Sequence, residues 1–171
     1  ADAYRVCHSE GDGLSGLVVD RYAGVHSVEI FSLGMFKRLD LLRQLLPGAF
    51  IQADERTQTL EGFRLPPEKP PEGVVVQEHG VHFRVDFAKG HKTGFFCDQR
   101  ENRKAVADLA KGKDLLDLCC YTGGFGVSAA RAGARKVVGV DMDEDALETA
   151  RHNARLNRVQ VDYYHQDIFN Y

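Results

Sequence analysis

Asp117 interrupts the first of three consecutive apolar runs, Leu115 to Cys120, and Asp141 and Asp167 follow the other two, Lys136 to Val140 and Val161 to His165. A glycine turn, Tyr121-Thr122-Gly123-Gly124-Phe125, follows the first run. Residue types in this order suit a nucleoside-containing ligand. Glycines let backbone N–H groups approach a ligand closely, and a carboxylate ending the second strand can accept hydrogen bonds from both hydroxyls of a ribose. Asp141 is the residue so placed. Asp167 is placed to accept from the exocyclic amine of an adenine, with Met142 and Ile168 covering the ring faces. Asp117 separates the candidate ligands, because a carboxylate beside the first turn attracts an ammonium group and repels a pyrophosphate. The set favours S-adenosylmethionine, whose methionine end carries an ammonium, over a dinucleotide.

One competing motif is present. Gly124-Phe125-Gly126-Val127-Ser128-Ala129 formally matches GxGxxA, the signature of a nucleotide-dependent oxidoreductase. A dinucleotide site puts its first glycine directly after the strand, whereas Tyr121-Thr122-Gly123 intervenes here. A plainer alternative is that the glycines only make a turn and Asp141 only caps a helix. Three acids at corresponding strand ends weigh against it.

These residues need elements that bring them together. From Leu115 onward the pattern reads strand, glycine turn, helix from Phe125 to Ala132, strand, helix capped by Asp143, strand. Glu144 and Asp145 suit the positive end of that last helix. Such alternation implies a parallel sheet with right-handed crossovers, which binds ligands beyond the carboxyl ends of its strands. Upstream, Asp98 and Glu101 fit a capping box for a helix from about 99 to Lys111, with Ala105, Val106, Leu109 and Ala110 as its buried side. Val74 to Val76 and the alternating Val81, Phe83, Val85, Phe87 read as a hairpin around His79-Gly80. Residues 64–73 hold four of the five prolines and mark a stiff linker. Before it, Leu17 to Val19, Val25 to Phe31 and Ala49 to Ala53 read as strands, and Leu33 to Leu46 as one amphipathic helix stopped by Pro47-Gly48. The fold class is α/β: a small N-terminal α/β domain with its linker over 1–72, then the first half of a Rossmann-like domain with a mainly parallel sheet over 73–171.

Composition sets the frame. The chain has 171 residues, 43% hydrophobic, and a formal net charge of −3, values of a globular protein rather than a nucleic-acid coat protein. No apolar run nears the roughly 18 residues a membrane span needs. Cys119 and Cys120 are adjacent while Cys7 and Cys97 lie far off, so neither a disulfide framework nor a zinc site is indicated. We expect a cytoplasmic protein with no metal. The start at Ala1 rather than Met, and the stop just after an apolar segment, are expected of a piece of a longer chain.

Asp117 to Gly126 (DLCCYTGGFG), with Gly90 to Arg103 (GHKTGFFCDQRENR) and Tyr4 to Tyr22 (YRVCHSEGDGLSGLVVDRY), resembles the bacterial class I methyltransferases that form 5-methylcytosine in 23S ribosomal RNA. The likeness covers nearly the whole chain. It implies a three-part protein: an RNA-binding PUA domain, a small central α/β domain beginning near Ala1, and a methyltransferase domain of which this chain holds the first half. It also implies S-adenosylmethionine as cofactor and ribosomal RNA as substrate. Carried over by position, Asp117 and Tyr121, Thr122, Gly123, Gly124 and Phe125 correspond to the methionine and ribose side of the cofactor site. Asp141 corresponds to the ribose ligand and Asp167 to the adenine ligand.

Lys92, Thr93, Gln99, Arg100 and Arg103 are similar to the family's wall over the cofactor and substrate entrance. The local excess of cations there, Lys89, Lys92, Arg100, Arg103 and Lys104 against Asp98 and Glu101, suits phosphate contacts, the alternative being a solvated helix face. Phe95 and Phe96 stand between base stacking and core, with core expected for at least one. The resemblance places the catalytic cysteine and a Pro-Pro element beyond Tyr171, so the chain alone is not expected to catalyse methylation. Cys119 and Cys120, at the end of a strand where thiols are normally buried and inert, and Cys97, read as packing, are not that nucleophile. The oligomeric state stays open, a homodimer included, and a non-catalytic RNA-binding module is the third reading beside methyltransferase and oxidoreductase.

Overall fold

The computed structural model describes residues 1–88 and 95–170, which cluster into two compact units. One comprises residues 2–74 with the described part of 85–97, and the other residues 75–84 with 98 onward.

In the first unit, β1 (Ala3–His8), β2 (Leu17–Tyr22) and β3 (Val25–Ile30) form an antiparallel meander, and β4 (Phe50–Gln52) joins β3 in parallel. The crossover between β3 and β4 carries two short helices, α1 (Leu33–Phe36) and α2 (Leu39–Leu45), where periodicity predicts one. Apolar spacing runs through the break unaltered, so it is invisible in the pattern. Arg38 leaves helical geometry (φ −105°, ψ 14°), its N–H reaches the Met35 carbonyl, and its guanidinium donates to the Gly34 carbonyl at 2.8 Å. Leu17, Val19, Val28, Ile30, Leu39, Leu42, Ile51 and Phe63 make the core, and Phe36 stacks on Phe63 at 4.8 Å. A helix the sequence reading lacked, α3 (Glu55–Glu61), is capped by Asp54, which accepts from Thr57 N–H. Strand β1 was also missed. Its Arg5 holds the fully buried Asp20 through two bonds of 2.9 and 3.0 Å, and the Tyr22 hydroxyl donates to the Phe95 carbonyl at 2.9 Å. Residues 64–73 have no helix or strand, as the prolines predict.

In the second unit, β5 (Val74–Glu78), all but its first residue, and β6 (Val81–Val85), all but its last, pair across the His79-Gly80 turn. The helix α4 (Arg100–Ala110) follows a 3₁₀ turn at Cys97–Gln99. Then come β7 (Asp114–Leu118), α5 (Gly124–Arg131), β8 (Lys136–Asp141), α6 (Glu144–Leu156) and β9 (Asp162–His165), with β7, β8 and β9 parallel in that order. Asp143 caps α6 by accepting from Ala146 N–H at 3.1 Å. The capping box does not form at α4. Gln99 is the N-cap and makes no side-chain cap bond, Asp98 accepts from Gln99, and Glu101 pairs with Arg100. The buried side of α4 is the expected one only at Ala110: Arg103 and Ala107 face inward with it, while Ala105 and Leu109 are exposed and Val106 is half-buried. The buried set keeps i, i+4, i+7 spacing, but its first member is an arginine, which an apolar count passes over.

Candidate functional site

Parallel pairing sets Asp117 opposite Gly139 and Asp141 opposite His165, so the carboxyl ends of β7 and β8 stand side by side. Asp141 anchors the junction. Its carboxylate accepts from Tyr121 N–H at 2.7 Å and from Asp143 N–H at 2.9 Å, joining the turn after β7 to the start of α6. The turn alternates into left-handed backbone at Cys119, Tyr121 and Gly123, with φ of +58°, +49° and +75°. Two of these are not glycine, and such conformations persist only where surrounding bonds impose them. Here the bonds are Cys120 N–H to the Val140 carbonyl, Tyr121 N–H to Asp141 and Gly123 N–H to the Cys120 carbonyl.

Asp117 lies under the start of α5, accepting from Gly126 N–H at 3.1 Å. Burial, with a contribution from Asp141, pushes its carboxyl up to about 6. At this helix start Gly126, Val127 and Ser128 have their donors engaged within the protein, whereas the N–H groups of Thr122, Gly124 and Phe125 meet no acceptor among the described residues. Free donors at a helix N-terminus suit a carboxylate or hydroxyl oxygen, so the turn fits the methionine and ribose end of S-adenosylmethionine. Met142 is exposed and Ile168 half-buried, while Asp167 starts a short 3₁₀ turn and accepts from Phe169 N–H at 3.0 Å.

Three residues behind the turn were not singled out from the sequence. Asn153, fully buried in α6, donates to the Thr122 carbonyl at 3.0 Å and accepts from Arg84 N–H at 2.8 Å. Asn153 and Asn157, four apart on a face otherwise made of Ala146, Leu147, Ala150 and Ala154, were the available signal: amides on an apolar stripe need partners. We expect Asn153→Ala to cost about 1–3 kcal/mol, because the Arg84 N–H loses its acceptor. Urea denaturation measures it, and a loss under about 0.5 kcal/mol would refute the assignment. Tyr163 in β9 is the second. Its ring fills the space beside Gly139, where an added Cβ would lie 2.7 Å away, and its hydroxyl ends under Gly123. That hydroxyl is buried without a partner, and burial pushes its pKa up.

The third is Glu78, and it changes the place of Arg103. Expected in the entrance wall, Arg103 is 4% exposed and holds Glu78, itself 3% exposed, through bonds of 3.0, 2.9 and 2.7 Å. Its guanidinium lies 5.9 Å from the Phe83 ring, and its Cδ would be 3.1 Å from a Cβ at Gly124. Arg103 therefore supports the glycine turn from behind rather than facing a substrate. Burial outweighs the arginine and raises the Glu78 carboxyl above the usual range. Arg100 pairs with Glu101 at 3.1 Å and Lys104 with Asp108, so the cations of α4 are each matched by a carboxylate. Gln99 is half-buried. Lys89, Lys92 and Thr93 lie outside the described residues.

Phe95 is buried and Phe96 exposed, so the first is the core member of the pair. Cys97 is buried. The thiols of the turn differ from the expectation that both are buried: Cys120 is, but Cys119 is exposed on left-handed backbone after the strand has ended. Burial and the carboxylates of Asp117 and Asp141 push the Cys120 thiol up to about 12, which leaves it protonated at neutral pH and a poor nucleophile. Among the described residues there is no group of three or more His, Cys, Asp or Glu that could hold a metal ion, and no helix long and apolar enough to cross a membrane.

Comparison with known proteins agrees with this geometry. A ribosomal RNA large subunit methyltransferase I from Aeromonas hydrophila is 42% identical over 97% of this chain and 46% of its own length. A protein from Streptococcus mutans described as a SAM-dependent methyltransferase superposes with a TM-score of 0.82 at 25% identity, over 99% of this chain and 47% of that one. A methyltransferase solved in complex with SAH superposes with the same TM-score, identity and coverage. The chain thus spans about half the length of the relatives it matches. A sequence profile for S-adenosylmethionine-dependent methyltransferases matches residues 14–169, and the chain belongs to that family.

Proposed function

We propose that the chain is the cofactor-binding portion of an S-adenosylmethionine-dependent methyltransferase that forms 5-methylcytosine in large-subunit ribosomal RNA, in the cytoplasm. The observation that carries the cofactor reading is the turn after β7, with donors at Thr122, Gly124 and Phe125 left open beside the clamped carboxylate of Asp141. The RNA substrate is supported by the relatives named as ribosomal RNA large subunit methyltransferases. Residues 1–72 are read as the family's central α/β domain and 73–171 as part of its methyltransferase domain.

In this reading Thr122, Gly124 and Phe125 hold the methionine end by backbone donation, with Tyr121 and Gly123 shaping the turn. Asp117 keeps that turn in place through Gly126 and contributes negative charge near the ammonium. Asp141 has an acceptor lone pair to spare on each oxygen for the ribose hydroxyls while it continues to hold Tyr121 and Asp143. Asp167 accepts from the adenine amine, with Met142 and Ile168 against the ring. The bound cofactor supplies the methyl group, and an unpaired or extruded cytosine receives it.

Isothermal titration calorimetry tests the site. Asp141→Asn is expected to weaken S-adenosylmethionine binding at least about tenfold, since hydrogen bonds to a charged acceptor contribute about 1.5–3 kcal/mol each. Unchanged affinity would sink the ribose assignment. Tight NAD binding with no S-adenosylmethionine binding would replace the methyltransferase reading with an oxidoreductase.

A further inference from the structure

A concavity of about 180 Å³ lies where the His79 turn, α4 and α5 meet. Its lining includes Arg100 and Lys104 from α4, Arg131 from α5, His79, and the buried Arg103–Glu78 pair. The acids present are committed: Glu78 to Arg103, Asp108 to Lys104, and Glu101 to Arg100 and His79 at 3.1 and 3.5 Å. Arg131 is exposed and makes no ion pair among the described residues. Solvent-exposed ion pairs contribute only about 0–1 kcal/mol, so a phosphate can take the place of Asp108 or Glu101 at little cost. Guanidinium–phosphate bonds are charge-assisted and can be bidentate, which favours the exchange. Arg100 and Lys104 stand one helical turn apart, about 6 Å along the axis, so the cations form a row rather than a point. None of the lining side chains is a phenylalanine, tyrosine or tryptophan, so the cleft lacks the large aromatic platforms on which successive bases stack.

We propose that this cleft binds the sugar–phosphate backbone of RNA, without reading its sequence, an inference that rests on the RNA substrate proposed above. Arg131 and Lys104 supply the contacts, and Arg103, a member of the lining held by Glu78, joins the cleft to the cofactor turn because its stem packs on Gly124.

The test measures binding of a fluorescein-labelled polyuridine oligonucleotide to the full chain by anisotropy at a series of salt concentrations. The double variant Arg131→Ala with Lys104→Ala is expected to flatten the slope of log affinity against log salt by about 1.4, at about 0.7 per lost phosphate contact on a single strand. A homopolymeric adenosine oligonucleotide should lose affinity equally. The control Lys37→Ala with Lys136→Ala removes two surface cations elsewhere and should leave the slope within about 0.7 of wild type. A wild-type slope in the cleft variant, an equal change in the control, or no binding of either oligonucleotide to the wild-type chain would each overturn the proposal. Calorimetry with S-adenosylmethionine on the same samples keeps the two readings apart: its absence in wild type counts against the methyltransferase function, whatever the salt slope shows.

Discussion

Glu78→Ala is expected to lower folding stability by about 3–5 kcal/mol, because it leaves the Arg103 guanidinium buried without its counter-charge. Both partners are almost wholly removed from water and the arginine spends three bonds on Glu78, so no solvent replaces the lost carboxylate. The effect should reach the cofactor turn. The Arg103 stem packs where a Gly124 side chain would sit, and a displaced arginine removes that support. S-adenosylmethionine affinity should therefore fall at temperatures where the variant is still folded. A double variant, Glu78→Leu with Arg103→Met, tests the cause. Replacing a buried ion pair by apolar residues of similar volume is often neutral or stabilising, so the pair of changes should cost far less than Glu78→Ala alone. Denaturant titrations of the variants decide it. A single-variant loss under about 1 kcal/mol would mean that the pair is effectively solvated.

Gly123→Ala is the second change with a large expected effect. It places a methyl group 2.4 Å from the Tyr163 hydroxyl and 3.0 Å from the Ala150 Cβ, at a φ of +75° that favours glycine. Left-handed backbone costs a non-glycine residue about 1–2 kcal/mol, and overpacking a filled interior about 1–3 kcal/mol more. Tyr163 cannot swing aside freely, because its ring is held against Gly139. The expected outcome is a loss of about 2–5 kcal/mol, with S-adenosylmethionine binding weakened by more than tenfold as the turn shifts. Adding Tyr163→Phe separates the two causes. It removes the clashing oxygen, which has no partner of its own, and should restore the packing part of the loss while leaving the backbone part. No recovery in the double variant would show that the hydroxyl carries none of the cost, which then falls to the backbone conformation and the Ala150 contact.

Both predictions rest on partners that the sequence hides, Glu78 behind Arg103 and Tyr163 beneath Gly123. The parallel strands β7, β8 and β9, the α5 and α6 helices and the Asp143 cap were legible because apolar alternation, a glycine turn and an acidic first turn are local signals. Asp117, Asp141 and the turn were legible for the same reason. What escaped depended on partners distant in sequence. Arg103 reads as a surface cation until Glu78, 25 residues away, is brought against it. Asn153 reads as a helix-surface amide until Thr122 and Arg84 arrive. The break at Lys37-Arg38 keeps the apolar spacing and so left no trace in the pattern, and β1 mixes arginine and histidine into a strand whose buried positions are only Ala3 and Cys7.

The Tyr163 ring, wedged between Gly123 and Gly139, bears on how a sequence signature of this kind persists. Gly123 is demanded from above by the left-handed backbone of its turn and from below by a tyrosine that leaves no room for a side chain. These are independent selection pressures on one position. A descendant that no longer bound nucleoside but kept its tyrosine would keep the glycine too, and the motif would outlast the chemistry it advertises. Gly123, Gly139 and Tyr163 should consequently drift as a linked triple, with bulk gained at either glycine only in lineages that have first trimmed the ring.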